Sequence, residues 1–228
     1  MKITKKKVFV SALAVCIVAI LSMGSLAWFT DSDDATNKFY VADSTQIPDK
    51  IFSIDLMEGV DTDGDGKKDA SVAYNGDKKN VGWNYNNIKP GDKLVKEPWI
   101  KNTGSYEQWV RIKVTLDNGA DWQAIANKHN IDLEDMFGDF NNSWKRVDTP
   151  EFNSTEDTIT YVYYLDAKVA PTKMRRLFSY IIIPEELDKE DMAMFENGKF
   201  NINLVAEAVQ ADNTGDTAVE GFTTCKMR

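Results

Sequence analysis

The chain has 228 residues, with 27 basic and 36 acidic side chains, one histidine and a formal charge of −9. So acidic a chain is a poor partner for nucleic acid or anionic lipid, whose charge it shares. A single histidine also excludes any intrachain zinc site that needs two, the H-E-x-x-H helix among them.

Lys2, Lys5, Lys6 and Lys7 form a basic start, and Val8 to Phe29 is apolar apart from Ser11, Ser22, Gly24 and Ser25. This is the profile of an export signal over residues 1–27. Ser25 and Ala27 set small residues three places and one place before a cleavage point between Ala27 and Trp28. The alternative is an uncleaved anchor, because the apolar run is just long enough to span a bilayer. Cys16 follows Val15, which is too bulky for a lipoprotein signal, so lipidation is not expected. Cleavage removes four lysines and no acid, so the secreted chain is more acidic still and has no remaining hold on the membrane. Of the two cysteines only Cys225 survives it. Without an intrachain disulfide, stability has to come from a hydrophobic core, which a chain of this length supplies as one domain.

In chain order, 50–56, 70–74 and 93–101 read as short strands. Val110, Ile112, Val114 and Leu116 then alternate with Arg111, Lys113 and Thr115, which predicts a strand with one dry face. Residues 121–137 predict a helix, with Trp122, Ile125 and Ala126 on one face and Gly138 as its stop. Ile159, Tyr161, Tyr163 and Leu165 repeat the two-residue period, and "RLFSYIIIP" (176–184) reads as a more fully buried strand ended by Pro184. A second helix is predicted over 185–196, then a strand on Phe200, Ile202, Leu204, Ala206 and Ala208. From Ala211 to Arg228 the chain reads as a polar tail in which Cys225 sits idle. Roughly seven to nine strands with few helices predict a mainly all-β fold, an antiparallel sandwich of jelly-roll type over 44–210 with short helical insertions. Residues 28–43 form a separate N-terminal segment ahead of it.

The strongest chemical motif is "DTDGDGKKD". Asp61, Asp63, Asp65, the carbonyl of Lys67 and Asp69 occupy positions 1, 3, 5, 7 and 9 of a calcium loop, with Gly66 at the sharp turn. Val72 stands at position 12 in place of the bidentate glutamate, which predicts the weaker affinity of extracellular sites. The flanking residues read as strands, so the motif is a Ca2+-clamped connection and no EF-hand. The alternative is a plain solvated Asp/Gly turn. His129 reads as a surface residue at a helix end, and Cys225 lacks the ordered surroundings of a nucleophile, so no catalytic set emerges. "GWNYNN" (82–87) sets Trp83 and Tyr85 on one side of a short strand, amid amides that suit sugar hydroxyls; ordinary strand aromatics are the alternative.

Three stretches together resemble the TasA/camelysin group of exported Gram-positive matrix proteins. "LAWFTDSDDATNKF" (26–39) is similar to that family's signal-to-mature junction. "IKPGDKLVKEPWIKNTGSYEQWVRIKV" (88–114) is similar to its P-G-D … N-x-G-S … V-R-I hairpin, and "INLVAEAVQAD" (202–212) to its closing A-x-A-x-Q-A strand. The stretch 117–195 carries no such pattern. The resemblance implies a jelly-roll protomer released by a dedicated signal peptidase of the SipW type. It further implies extracellular matrix fibres in which the N-terminal segment of one subunit completes the sheet of the next, head to tail. In that reading Trp28, Phe29, Phe39, Tyr40 and Val41 anchor a donor strand, Asp31, Asp33 and Asp34 burden it with charge, and an accessory matrix protein or polysaccharide is a further partner. Two alternatives stand beside the fibre subunit: a calcium-stabilised carbohydrate-binding module, and a metallopeptidase of the camelysin kind, which the single histidine disfavours.

Overall fold

The computed structural model describes residues 30–33, 52–61, 67–73, 85, 87–195 and 199–226. The signal segment, its cleavage pair Ala27 and Trp28, and the expected anchors Phe29, Phe39, Tyr40 and Val41 lie outside the described residues. Among the described residues twelve strands build two antiparallel sheets. They are β1 (Thr30–Asp33), β2 (Ile54–Val60), β3 (Ala70–Ala73), β4 (Lys93–Asn102), β5 (Gln108–Asp117) and β6 (Phe137–Gly138). The remainder are β7 (Trp144–Arg146), β8 (Glu151–Asn153), β9 (Thr158–Leu165), β10 (Met174–Arg176), β11 (Tyr180–Ile182) and β12 (Ile202–Gln210). The first sheet runs β1-β12-β5-β9-β7, with β8 also on β9; the second runs β3-β2-β4-β11-β6, with β10 also on β4. The expected mainly β class, with two antiparallel sheets and short helices, is what the chain adopts.

Each sheet turns a dry face to one core. Val110, Ile112, Val114 and Leu116 of β5 are wholly buried, and Ile159, Tyr161, Tyr163 and Leu165 of β9 lie beside them. Ile54, Leu56, Ile100 and Ile181 join them from the second sheet in one cluster. The period-two pattern read from the sequence is thus the pattern of burial, as a half-buried strand requires. The chain passes between sheets at 103–107, where the "NTGS" stretch was expected to close a hairpin. Instead β4 and β5 belong to different sheets. The fully buried Asn102 holds this crossover: its amide donates to the carbonyls of Tyr106 and Val169 at 2.7 Å, and its Oδ1 accepts from Gly104 N–H at 2.9 Å. The "PGD" turn is present, with Gly91 at φ 82° and the Asp92 carboxylate accepting from Lys89 N–H at 2.7 Å.

Several expectations need correction. The buried strand of 176–184 is split into β10 and β11, which pair with one β4 in the same register on either side of Pro98. Pro98 has no N–H to return the bond it accepts from Leu177, so the Leu177 carbonyl turns to Asn141 N–H at 2.8 Å and the ladder breaks there. The helix of 121–137 is shorter: α1 spans Gly119–His129 and stops where Asn130 takes a left-handed conformation, φ 53°. A 3-10 turn, Leu133–Met136, follows under its own Asp132 cap. The second helix, α2, is trimmed to Lys189–Met194 by a capping box between Asp188 and Asp191. Residues 211–226 are no frayed tail, since α3 (Ala218–Lys226) docks there with Ala218 and Phe222 buried and Cys225 packed against its cluster.

Asn102→Ala would remove three hydrogen bonds from the crossover, although the Val169 carbonyl keeps Gln108 N–H and Gly104 N–H keeps the Ser53 carbonyl. At about 0.5–1.5 kcal/mol net per bond, urea unfolding should show a loss of about 1–3 kcal/mol with an unchanged slope.

Candidate functional site

Strand β12 carries the candidate site because it is paired unequally on its two sides. Along one edge it bonds β5 over its whole length, from Ile202↔Leu116 to Gln210↔Gln108. Along the other, β1 covers only its last part: Thr30↔Val209, Asp31↔Ala208, Ser32↔Glu207 and Asp33↔Ala206. Among the described residues no strand pairs with Ile202–Val205 on that side. Ala206 and Ala208 are fully buried and small. Part of the expected donor segment, Thr30–Asp33, is therefore present as a strand on the outer edge of β12.

The outer face beside this edge is built from cross-strand rows, since residues directly opposite one another share a face. Val209 stands opposite Trp109, and Glu207 opposite Arg111, which in turn stands opposite Tyr164. The Arg111 Nε and Lys113 Nζ both donate to Glu207, the latter at 2.8 Å, and Arg111 also donates to the Tyr164 hydroxyl at 3.2 Å. Burial would raise the Glu207 pKa, but these two cations outweigh it and hold the carboxyl below its usual range. The Arg111 guanidinium lies 4.3 Å from the Phe222 ring centre, so α3 is tied to the sheet by a cation–π contact as well as by apolar packing.

The acidic loop closes the β2–β3 hairpin, whose last pair is Val60↔Ala70, so its flanks are strands as expected. Asp61 is half-buried at the end of β2, Lys67 and Asp69 are exposed, and Asp63 and Asp65 lie outside the described residues. Sequence reading missed the anchor beside it. Lys68 Nζ reaches back to Glu97 Oε2 at 2.8 Å and lies 5.3 Å from the Trp99 ring centre. Gly59 makes the passage, because a Cβ there would stand 2.4 Å from Lys68 Cδ. Glu97 also accepts from Trp99 Nε1 at 2.8 Å and lies 3.4 Å from Arg176. Burial opposes its ionisation, yet Lys68, Trp99 and Arg176 hold its pKa low. Such pairs join residues far apart in sequence and leave no local signature.

Of the aromatic pair Trp83 and Tyr85, only Tyr85 is among the described residues. It is half-buried outside any strand, and its hydroxyl donates to the carbonyl of Val95 just beyond the point where β2 stops covering β4. Burial, with Glu58 and Asp61 nearby, pushes its pKa up. Trp83 lies outside the described residues.

His129 is no free surface residue either: its side chain is 16% exposed and Nε2 lies 2.7 Å from Asp191 Oδ2. His129, Asp188 and Asp191 present ligand atoms within 4.8 Å of one another, the one such metal-competent group among the described residues. Their oxygens are already taken. Asp188 Oδ1 accepts from the N–H groups of Glu190 and Asp191, Asp191 Oδ2 from Asp188 N–H, and Lys128 Nζ bridges both carboxylates at 2.8 Å. The ammonium stands where a cation would, and the cluster ties α1 to α2.

The Asp188 N–H bond, with Lys128 and His129, holds the Asp191 carboxyl well below the usual range. A depressed folded pKa gives stability that is present above the unfolded value, about 3.9, and lost as pH falls below it. Thermal unfolding of the wild type should therefore weaken below about pH 4, and Asp191→Asn should flatten that slope. For the acidic loop, millimolar calcium should raise the unfolding temperature of the wild type and leave an Asp63→Asn, Asp65→Asn double variant unmoved. Equal responses would place any calcium elsewhere.

Set against protein-family models, curated proteins and solved structures, the chain matches none.

Proposed function

We propose that the protein is a secreted structural subunit of extracellular matrix fibres. It assembles head to tail when the N-terminal segment of one protomer takes the β1 position on β12 of the next. The observation that carries this reading is the pairing of Thr30–Asp33 with the outer edge of β12. A sheet edge accepts any strand of suitable sequence, and the chain's own N-terminal segment and a neighbour's are chemically the same strand. A contact of this kind does not close on itself, so it propagates as a filament. Jelly-roll strand order, release by a dedicated signal peptidase at Ala27, residence at a Gram-positive surface, Ca2+ in the acidic loop and an accessory matrix partner belong to the same proposal and rest on the sequence resemblance.

Charge sets the conditions. Asp31 and Asp33 hold the register positions of Ala208 and Ala206, the two fully buried alanines of β12. The N-terminal segment carries Asp31, Asp33 and Asp34 against the one cation Lys38, so protonation, salt or a counter-ion should favour its assembly. The metallopeptidase alternative has one histidine to draw on, and that residue is engaged by Asp191. The carbohydrate-module alternative loses Tyr85 to the Val95 carbonyl.

Electron microscopy of the chain starting at Trp28 should show filaments, sooner at low pH, at raised ionic strength or with calcium, while a chain starting at Ser44 stays monomeric. Equal polymerisation of the two would defeat the donor-strand reading. Filaments from neither would defeat the fibre reading.

A further inference from the structure

Helix α3 lies over the two cross-strand rows that end in β1. Continued one strand outward, the row Val209–Trp109 meets Thr30, and the row Glu207–Arg111–Tyr164 meets Ser32. On the helix side, Ala218 and Phe222 pack with Trp109, Val209 and Ala211, and the Phe222 ring lies 5.9 Å from that of Tyr164. The approach is close because Gly221 has no side chain: a Cβ there would stand 2.6 Å from Trp109 Cδ1 and 3.2 Å from Val209. The link from β12 to α3 is itself built to hold. Ala211 N–H donates to the Glu107 carbonyl at 3.0 Å, and the buried Thr214 hydroxyl donates to the Gln210 carbonyl at 2.7 Å.

We propose that α3 is a lock for the N-terminal strand: by fixing Val209 and Glu207 from outside, it holds the end of β12 in the form that accepts Thr30–Asp33. The physical need is plain. A four-residue edge strand is marginal, and its hydrogen bonds survive only if the strand it pairs with does not fray. The inner face of β12 is backed by the core along its length, but at Val209 the outer face is dry only because α3 covers it. The C-terminal helix and the N-terminal strand are thus two parts of one junction, and loosening the first releases the second. The inference deepens the fibre reading, since the locked strand is the one proposed to come from a neighbour, yet it applies equally to the chain's own strand in a monomer.

Backbone hydrogen exchange on the mature chain, kept monomeric as judged by light scattering, tests this. In Phe222→Ala and in Gly221→Val, segments 28–36 and 204–211 should exchange about tenfold faster or more, while β2, β4 and β9 stay protected as in the wild type. Acceleration confined to 212–226, with Thr30–Asp33 as protected as before, would overturn the lock, as would a wild type in which Thr30–Asp33 shows no protection. If Gly221→Val unfolds throughout, Phe222→Ala, which adds no clash, decides alone. α3-dependent protection in a wild type that never forms filaments would leave the lock standing and remove the fibre reading, so the two fail separately.

Discussion

Strand β5 is dry on both faces over its first half, and the rest of the molecule is arranged to keep it so. Gln108, Trp109, Val110, Arg111 and Ile112 are all buried in succession, which no single sheet face can achieve. The inward members need the second sheet opposite them, and the outward pair, Trp109 and Arg111, need α3. Because β12 and β9 are the neighbours of β5, whatever covers β5 from outside also covers them. The edge of the first sheet therefore inherits its rigidity from a helix that never touches the inner core.

Several ion pairs of this acidic chain are shared, either two cations on one carboxylate or one cation between two. Arg111 and Lys113 share Glu207, Lys68 and Arg176 share Glu97, and Lys128 bridges Asp188 and Asp191. Arg176 reaches Asp139 as well, at 2.9 Å, and with the Ser179 hydroxyl holds that carboxyl low. Lys96 and Glu58 pair where both are buried. Isolated surface pairs contribute little to stability, but shared and partly buried ones fix geometry, since breaking one leaves an uncompensated charge in a poor solvent. These clamps sit at sheet faces and helix ends, where they set the positions of edges and insertions.

What was legible in the sequence was whatever is local. Alternation in 110–116 and 159–165 announced β5 and β9 because each inward residue meets the same core. The class of fold followed from such runs. What was not legible depends on partners distant in the chain: Pro98 breaking a ladder at Leu177, Asp157 capping α1 through Gly119 and Ala120, or Asp191 claiming His129. The C-terminal helix was misread for the same reason. "AVEGFTTCK" has little helical character of its own, with Gly221 and two threonines within it, and it becomes a helix because Trp109 and Val209 give it a surface on which that glycine is an advantage. At the candidate site, the closing strand was readable as a strand, but its unequal edges were not, since pairing is a property of the whole sheet.

The first strand described and the last lie side by side, with α3 closing over the same corner. If the chain is exported from its N-terminus, as proposed above, Thr30 reaches the far side of the membrane long before Val209 follows, and during that interval the early strand has no β12 of its own to join. If a growing fibre is nearby, its exposed end is the first edge the new strand meets. Order of arrival, as much as affinity, would then decide whether a newly secreted chain closes on itself or enters the lattice of its predecessors.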